Sequence, residues 1–187
     1  MATKREMVTP EFRISFPALF RPEAQEGQEP KFKITMLFPA ASSPALEPIR
    51  QRMREVLAEK WPDPKSKPAK LRNPLRDGNE KAHIAGYKDM IFCTATAQAD
   101  RRPKIVGADM GEILEEAKVY AGSYARAVIE VFAYNRNGNA GIGLGLVMVQ
   151  WLRDGEPFGR SYGTPEEYFG AGAVQQVTAA PADGDFF

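Results

Sequence analysis

The stretch from Tyr124 to Leu152 constrains the chain more than any other. Ala125, Ala127, Ile129, Val131 and Ala133 alternate with Tyr124, Arg126, Val128, Glu130, Phe132 and Tyr134; Asn137-Gly138 follows, and Ile142 to Leu152 returns. Period-two alternation places successive side chains on opposite faces of a strand, and Asn-Gly readily takes both central positions of the tight turn that joins two strands. A long antiparallel hairpin is expected here, and its apolar face needs other strands to cover it.

The rest of the chain supplies them. Phe12, Ile14 and Phe16 alternate with polar residues up to Pro17 and Pro22, which are expected to end that strand. Phe32, Ile34, Met36 and Phe38 alternate with Lys31, Lys33, Thr35 and Leu37, a second strand with lysines on its outer face at one end. From Leu46 the period changes: Leu46, Ile49, Met53, Val56, Leu57 and Trp61 recur at helical spacing, giving an amphipathic helix that starts near Leu46 or Glu47 and is closed by Pro62. Residues 62–83 carry four prolines and Asp77-Gly78 and read as a long loop. Strands are expected again at Asp89–Gln98 and Lys104–Val106, then a short helix from about Met110 to Ala117 capped by Asp109. Thr164 and Glu167 form a capping box for a last short helix. Some six short strands not separated by regular helices favour a small, mainly β Greek-key barrel over an α/β sheet. With 187 residues, one domain over 1–169 is expected, followed by an uncharged linker from 170 and a tail ending Asp183, Gly184, Asp185, Phe186, Phe187.

Composition removes whole classes of function. A single Cys and a single His exclude the usual zinc sets and an intramolecular disulfide, and Cys93 reads as a buried strand residue in a reducing compartment. His83 would have to serve alone as the base of any Ser/His/Asp triad, and there is no nucleophile elbow. Glu115-Glu116 and Glu166-Glu167 sit where acidic helix starts are expected, so neither supports paired-carboxylate chemistry or a metal. Neither an enzyme nor a metal or cofactor is expected. The run Gly141-Ile-Gly-Leu-Gly-Leu146 fails as a dinucleotide loop, because its third glycine position is Leu146 and it continues as a strand. Glycine at alternate positions leaves one strand face bare, for an aromatic across the hairpin or for a ligand. No signal or membrane-length apolar run is present, so a cytoplasmic protein without membrane contact is expected.

Charge is more telling. Net charge is only +1, yet six of the seven charges between Lys60 and Arg76 are basic, among them Lys65, Lys67, Lys70, Arg72 and Arg76. A basic loop in a neutral protein is a candidate for phosphate contact. Tyr87 and Lys88 follow, then Arg101, Arg102 and Lys104, while Tyr124, Arg126, Phe132 and Tyr134 share one strand face. Aromatic and cationic groups on one face suit stacked bases with neutralised phosphates, or are ordinary half-buried aromatics. The tail, with Asp183, Asp185, Phe186 and Phe187, suits a partner's basic-rimmed pocket, or is a frayed end.

Tyr120-Ala-Gly-Ser-Tyr124, Ala133-Tyr134-Asn135, Asn137-Gly138, Gly141-Ile-Gly-Leu-Gly-Leu146, Val149-Gln150 and Asp154-Gly155-Glu156, with Leu75-Arg76-Asp77-Gly78 ahead of Gly86-Tyr87, resemble in order and spacing the phage single-stranded DNA-binding proteins with an OB-fold, which share the organisation of the T7-type protein. The resemblance covers roughly residues 8 to 160, and the Phe-ended tail fits it. It implies an OB-fold barrel with an inserted helix that coats single-stranded DNA in phage replication and recombination, in the cytoplasm of an infected bacterium, without catalysis or sequence preference. Lys65, Lys67, Lys70, Arg72, Arg76, Lys88, Arg101, Arg102, Lys104 and Arg126 would meet phosphates, and Tyr87, Tyr124 and Tyr134 would stack bases. The tail would recruit phage or host polymerase or helicase/primase. A homodimer stays open, and the alternative is a phage structural protein using the basic loop and tail as assembly contacts.

Overall fold

The structure, a computed structural model, describes residues 5–24, 26–136 and 138–159. Eight strands form around one helix: β1 (Glu6–Val8), β2 (Phe12–Glu23), β3 (Lys31–Pro39), α1 (Glu47–Lys60), β4 (Arg76–Asp77), β5 (Met90–Gln98), β6 (Lys104–Val106), β7 (Tyr124–Arg136) and β8 (Asn139–Arg153). The hairpin expected from the alternation is β7–β8, paired from Tyr124↔Arg153 to Arg136↔Asn139. β2 pairs with β3 and with β7, β3 with β5, and β5 runs parallel to β8 at Thr96↔Gly145. Those pairings close the ring β7-β2-β3-β5-β8 on itself, which removes the open edges that five strands would otherwise expose. β1 continues along β7 where β2 leaves it, and β6 continues along β8 where β5 leaves it.

The inward residues of every barrel strand meet in one core, including Phe12, Ile14, Ile34, Met36, Cys93, Ala95, Ile129, Val131, Leu144 and Val149. Helix α1 adds Ile49, Met53 and Val56, spaced four and three apart on one face, to the same core. Pro48 sits in its first turn, where a missing N–H costs nothing, so the helix begins at Glu47 as expected. Buried Trp61 donates its N–H to Leu57 O at 2.9 Å and Pro62 prevents continuation.

Two expectations are corrected. Pro17 and Pro22 do not end the first strand: β2 runs through both, with register shifts after Ser15 and after Ala18 that mark a bulge, where a missing proline N–H is tolerated. The short helix over Met110–Ala117 is absent. Ile113 donates its N–H to Ile105 O at 2.9 Å and Gly107 to Gly111 O at 2.8 Å, so the segment folds back on β6 and only a single 3-10 turn, Glu116–Lys118, forms. Asp109 therefore caps no helix; its carboxylate accepts from the Gly111 N–H at 3.1 Å in the turn between Gly107 and Gly111. The capping-box helix at Thr164 and the linker and tail from 170 lie outside the described residues, as does Asn137. Among the described residues no helix is long and apolar enough to cross a membrane.

The bare glycine face of β8 is filled by the protein itself. A Cβ on Gly143 would lie 2.5 Å from the Phe132 ring, and one on Gly141 would lie 2.6 Å from Arg72 O. The aromatic packing across the hairpin is thus present at Gly143, and at Gly141 a loop backbone takes the space.

Candidate nucleic-acid interface

Alternation in β3 and β5 sends half of their side chains away from the core. Opposite one another on the outer face stand Lys31↔Gln98, Lys33↔Thr96, Thr35↔Thr94 and Leu37↔Phe92. The face is graded, cationic and polar at one end and apolar at the other. Thr35 and Thr94 hydroxyls meet at 3.0 Å in its middle, and Lys33 Nζ lies 2.7 Å from Glu23 Oε2. The turn after β5 extends the cationic end: Arg101 donates its N–H to Gln98 O at 2.9 Å, and the Arg102 guanidinium lies over the Phe20 ring at 5.5 Å.

A loop covers the apolar end. Tyr87, 2% exposed, joins Leu37 and Phe92 in a small second core, with Ile84, Met90 and Phe158 against it. Ser15 Oγ donates to the Tyr87 hydroxyl at 3.4 Å. Gly86 makes this loop feasible: its φ is 85°, and the Phe158 ring stands 2.3 Å from where a Cβ would be. Arg76 and Lys81 rest over Phe92 at 5.2 and 5.1 Å.

Beside this core the β2 bulge holds Phe16 with φ 43°, a left-handed conformation unusual for an aromatic residue. The residue is 54% exposed. Ser15, Phe16, Pro17, Lys33, Ile84 and Phe158 line a recess of about 400 Å³ open to solvent, within the size range of ligand pockets. Strain of this kind persists only where neighbouring structure enforces it, and it gathers at binding sites. Arg13 lies over Phe158, one of the recess-lining residues. It donates to Gly122 O at 3.2 Å and Glu156 O at 2.6 Å, and its guanidinium lies 4.3 Å from the Phe158 ring centre and 5.5 Å from that of Tyr124. Arg153 covers Tyr124 at 3.5 Å and pairs with Glu11 at 2.5 Å, a carboxylate that raises its pKa further.

The residues singled out in the sequence are therefore divided. Arg76, Tyr87, Arg101 and Arg102 belong to the β3–β5 face or its ends, and exposed Lys88 follows Tyr87. Tyr87 does not offer a ring for stacking, because it is buried under its own loop. Tyr124 gives a ring face to Arg153, and Arg126 donates to Gln150 Oε1 at 2.6 Å. Half-buried Tyr134 stands ten residues further along β7, up to about 33 Å away at strand spacing, so the tyrosines make no single platform. Lys65, Lys67 and Lys70 are exposed on the loop after α1. Arg72 fastens that loop to β8, its N–H bonded to Ala140 O at 2.9 Å and its O to the Ile142 N–H at 3.1 Å. Lys104 is exposed on β6. Asp183, Asp185, Phe186 and Phe187 lie outside the described residues. Arg13, Phe16, Lys33, Lys81 and Phe158 were not singled out. The alternation of Lys31 and Lys33 was the signal for one of them; Phe158 reaches Gly86 only through the fold.

A closed five-stranded Greek-key barrel with a polar, cationic outer face on its second and third strands is an OB-fold, the architecture that takes oligonucleotides on that face. The model of the family described as the single-stranded DNA-binding protein of Enterobacter phage Enc34 matches residues 5–179, and the chain belongs to that family. It is 30% identical over 166 residues, 83% of this chain and 88% of the relative, to protein p50 of Acyrthosiphon pisum secondary endosymbiont phage 1. The solved single-stranded DNA-binding protein of bacteriophage Enc34 in complex with ssDNA is similar with a TM-score of 0.71 and 22% identity, over 84% of this chain and 91% of that one. The single-stranded DNA-binding protein gp2.5 of bacteriophage T7 is similar at 0.58 and 12% identity, over 88% and 98%. The two structures establish the fold. The family is one of DNA-binding proteins and not of enzymes, which agrees with the sparse catalytic inventory.

Proposed function

We propose that this chain coats single-stranded DNA without sequence preference during phage replication and recombination, in the cytoplasm of the infected bacterium. The observation that carries this reading is the end of the outer face of β3 and β5 that the Tyr87 loop leaves uncovered, with Thr94 and Gln98 exposed on β5, Lys31, Lys33, Arg101 and Arg102 towards that end, and the Phe16 recess beside it. The strand runs along this face. Its phosphates meet the cations, and a base unstacks into the recess against Phe16 and Phe158. Stacking tolerates any base, since each has a π-face, so little sequence preference follows. Arg76, Lys88 and Lys104, with Lys65, Lys67, Lys70 and Arg72 on the loop fastened to β8, add to the positive field the strand meets. The tail, through Asp183, Asp185, Phe186 and Phe187, recruits replication proteins such as a polymerase or helicase/primase. Family membership supports this reading over a structural role in the virion.

Titration with oligo-dT at two salt concentrations tests it. Affinity should fall with a log-log slope of about −0.7 per phosphate neutralised, and Lys31→Ala with Lys33→Ala should reduce the slope by about 1.4. Replacing Lys65, Lys67 and Lys70 together by Ala should reduce it as well. No binding at low salt, or a slope indifferent to all five lysines, would overturn the reading.

A further inference from the structure

A second cavity lies on a different wall of the barrel, between α1 and β7. It holds about 290 Å³ and is lined by Arg5, Arg52, Glu59 and Lys60 together with Val131 and Phe132. The placement follows from the fold. β1 pairs antiparallel with β7, Glu6 opposite Glu130, so Arg5 falls beside Val131. Arg52, Val56, Glu59 and Lys60 are four, seven and eight residues apart and share one helix face. Phe132 points outward from β7, 41% exposed, with its ring packed over bare Gly143.

The charge of this cavity is only partly balanced. Arg52 spends Nη1 on Glu55 at 2.9 Å and Glu59 at 3.3 Å, and its buried Nε has no hydrogen-bond partner. No ion pair of Arg5 or Lys60 occurs among the described residues. The chain then leaves α1 through Lys60 into the loop bearing Lys65, Lys67 and Lys70. Cations at the mouth of a cavity beside an exposed, rigid aromatic ring are the elements that hold a nucleotide, with the phosphate on the cations and the base on the ring.

The geometry points to a second nucleotide-binding site here, separate from the β3–β5 face, which a DNA strand reaches only when it is longer than that face can hold. The inference rests on the single-stranded DNA reading above and extends the path of the strand to the α1–β7 wall. Phe132 stacks one base, and Arg5 and Lys60 take the adjoining phosphates.

The test compares oligo-dT of about 8 nucleotides, within the site of one OB-fold, with oligo-dT of about 30. In the full chain, Arg5→Glu with Lys60→Glu should weaken binding of the long oligonucleotide about 10- to 30-fold near 0.1 M salt and lower its salt slope by about 1.4. Binding of the short one should stay unchanged, with thermal melts confirming a folded variant. Phe132→Trp gives an independent readout: its added indole fluorescence should be quenched by the long oligonucleotide and not by the short one. Equal weakening of both lengths would place these residues on the first face and overturn the second site. Unchanged binding of both lengths, with the indole unquenched, would overturn it too. A wild-type chain that binds neither length would instead remove the single-stranded DNA reading itself.

Discussion

Replacing Phe16 by Gly separates binding from stability at one residue. A non-glycine residue held in the left-handed region costs roughly 1 to 2 kcal/mol, which glycine recovers. Against this, glycine loses about 0.5 to 1 kcal/mol more backbone entropy on folding. Burying a phenylalanine fully is worth about 1.5 to 3 kcal/mol, and because Phe16 is 54% exposed only about half of that is lost. The three terms offset to within about 1 kcal/mol, so the melting temperature should move by no more than about 4 °C in a chain of this size. Binding should respond quite differently. A ring that stacks a base contributes about 1 to 3 kcal/mol, so affinity for oligo-dT should fall about 5- to 150-fold. Fluorescence anisotropy with a labelled oligonucleotide, beside a thermal melt, reads both quantities. Unchanged affinity in the folded variant would refute base capture at the bulge, and a melting point lowered by more than about 10 °C would show that Phe16 is structural.

The buried tyrosine should behave in the opposite way: Tyr87→Ala should cost about 3 to 5 kcal/mol in denaturant unfolding, while Tyr87→Phe should cost only about 1 kcal/mol and retain DNA affinity. Burial pushes the Cys93 thiol up from 9.0 to about 12, so the folded state holds it neutral while an unfolded chain would ionise it; its contribution to stability is complete below about pH 9 and is lost as pH rises towards 12. Alkylation of Cys93 at pH 8 should therefore track global unfolding, and rapid labelling of the native protein would contradict its burial. Deleting residues 181–187 should leave the melt unchanged and, if Asp183 and Asp185 compete with phosphates for the same cations as the proposed tail role requires, tighten oligo-dT binding at low salt. Equal affinity with and without those residues would deny the competition.

The barrel was legible in the sequence wherever alternation was strict. β3, β5, β7 and β8 stand within a residue or a few of their expected bounds, because each has an apolar face buried in the same core. Local rules failed where tertiary pairing overrode them. Pro17 reads as a strand end, yet β2, which leaves β7 after Arg13, keeps pairing with β3 beyond the proline at Ala18↔Lys33 and Glu23↔Lys31, and the bulge accommodates the missing N–H. The segment after Asp109 has a helix-start residue, but so short a helix barely repays its nucleation, whereas the fold-back buries Ile113 in the core and bonds its N–H to Ile105 O. The candidate site was less legible than the fold. Charge density drew attention to the loop at 60–76, whereas the β3–β5 face carries few charges and is recognisable only once Lys33, Thr35, Thr94 and Thr96 stand opposite one another. Tyr87 looked like a stacking residue because nothing local reports that its own loop folds over it. Phe16 becomes significant through its φ and its exposure, which no neighbouring residue announces.

Photo-cross-linking of the full chain to an oligo-dT of about 8 nucleotides, short enough for one OB-fold face, tests most directly whether a single strand lies along β3 and β5 beside the β2 bulge. Mass mapping of the adducts should place them on Phe16 and Phe158, and Lys31→Ala with Lys33→Ala should reduce their yield. Adducts confined to Phe132, Tyr134 or the 62–75 loop, with Phe16 and Phe158 unmodified, would contradict the assignment of that face.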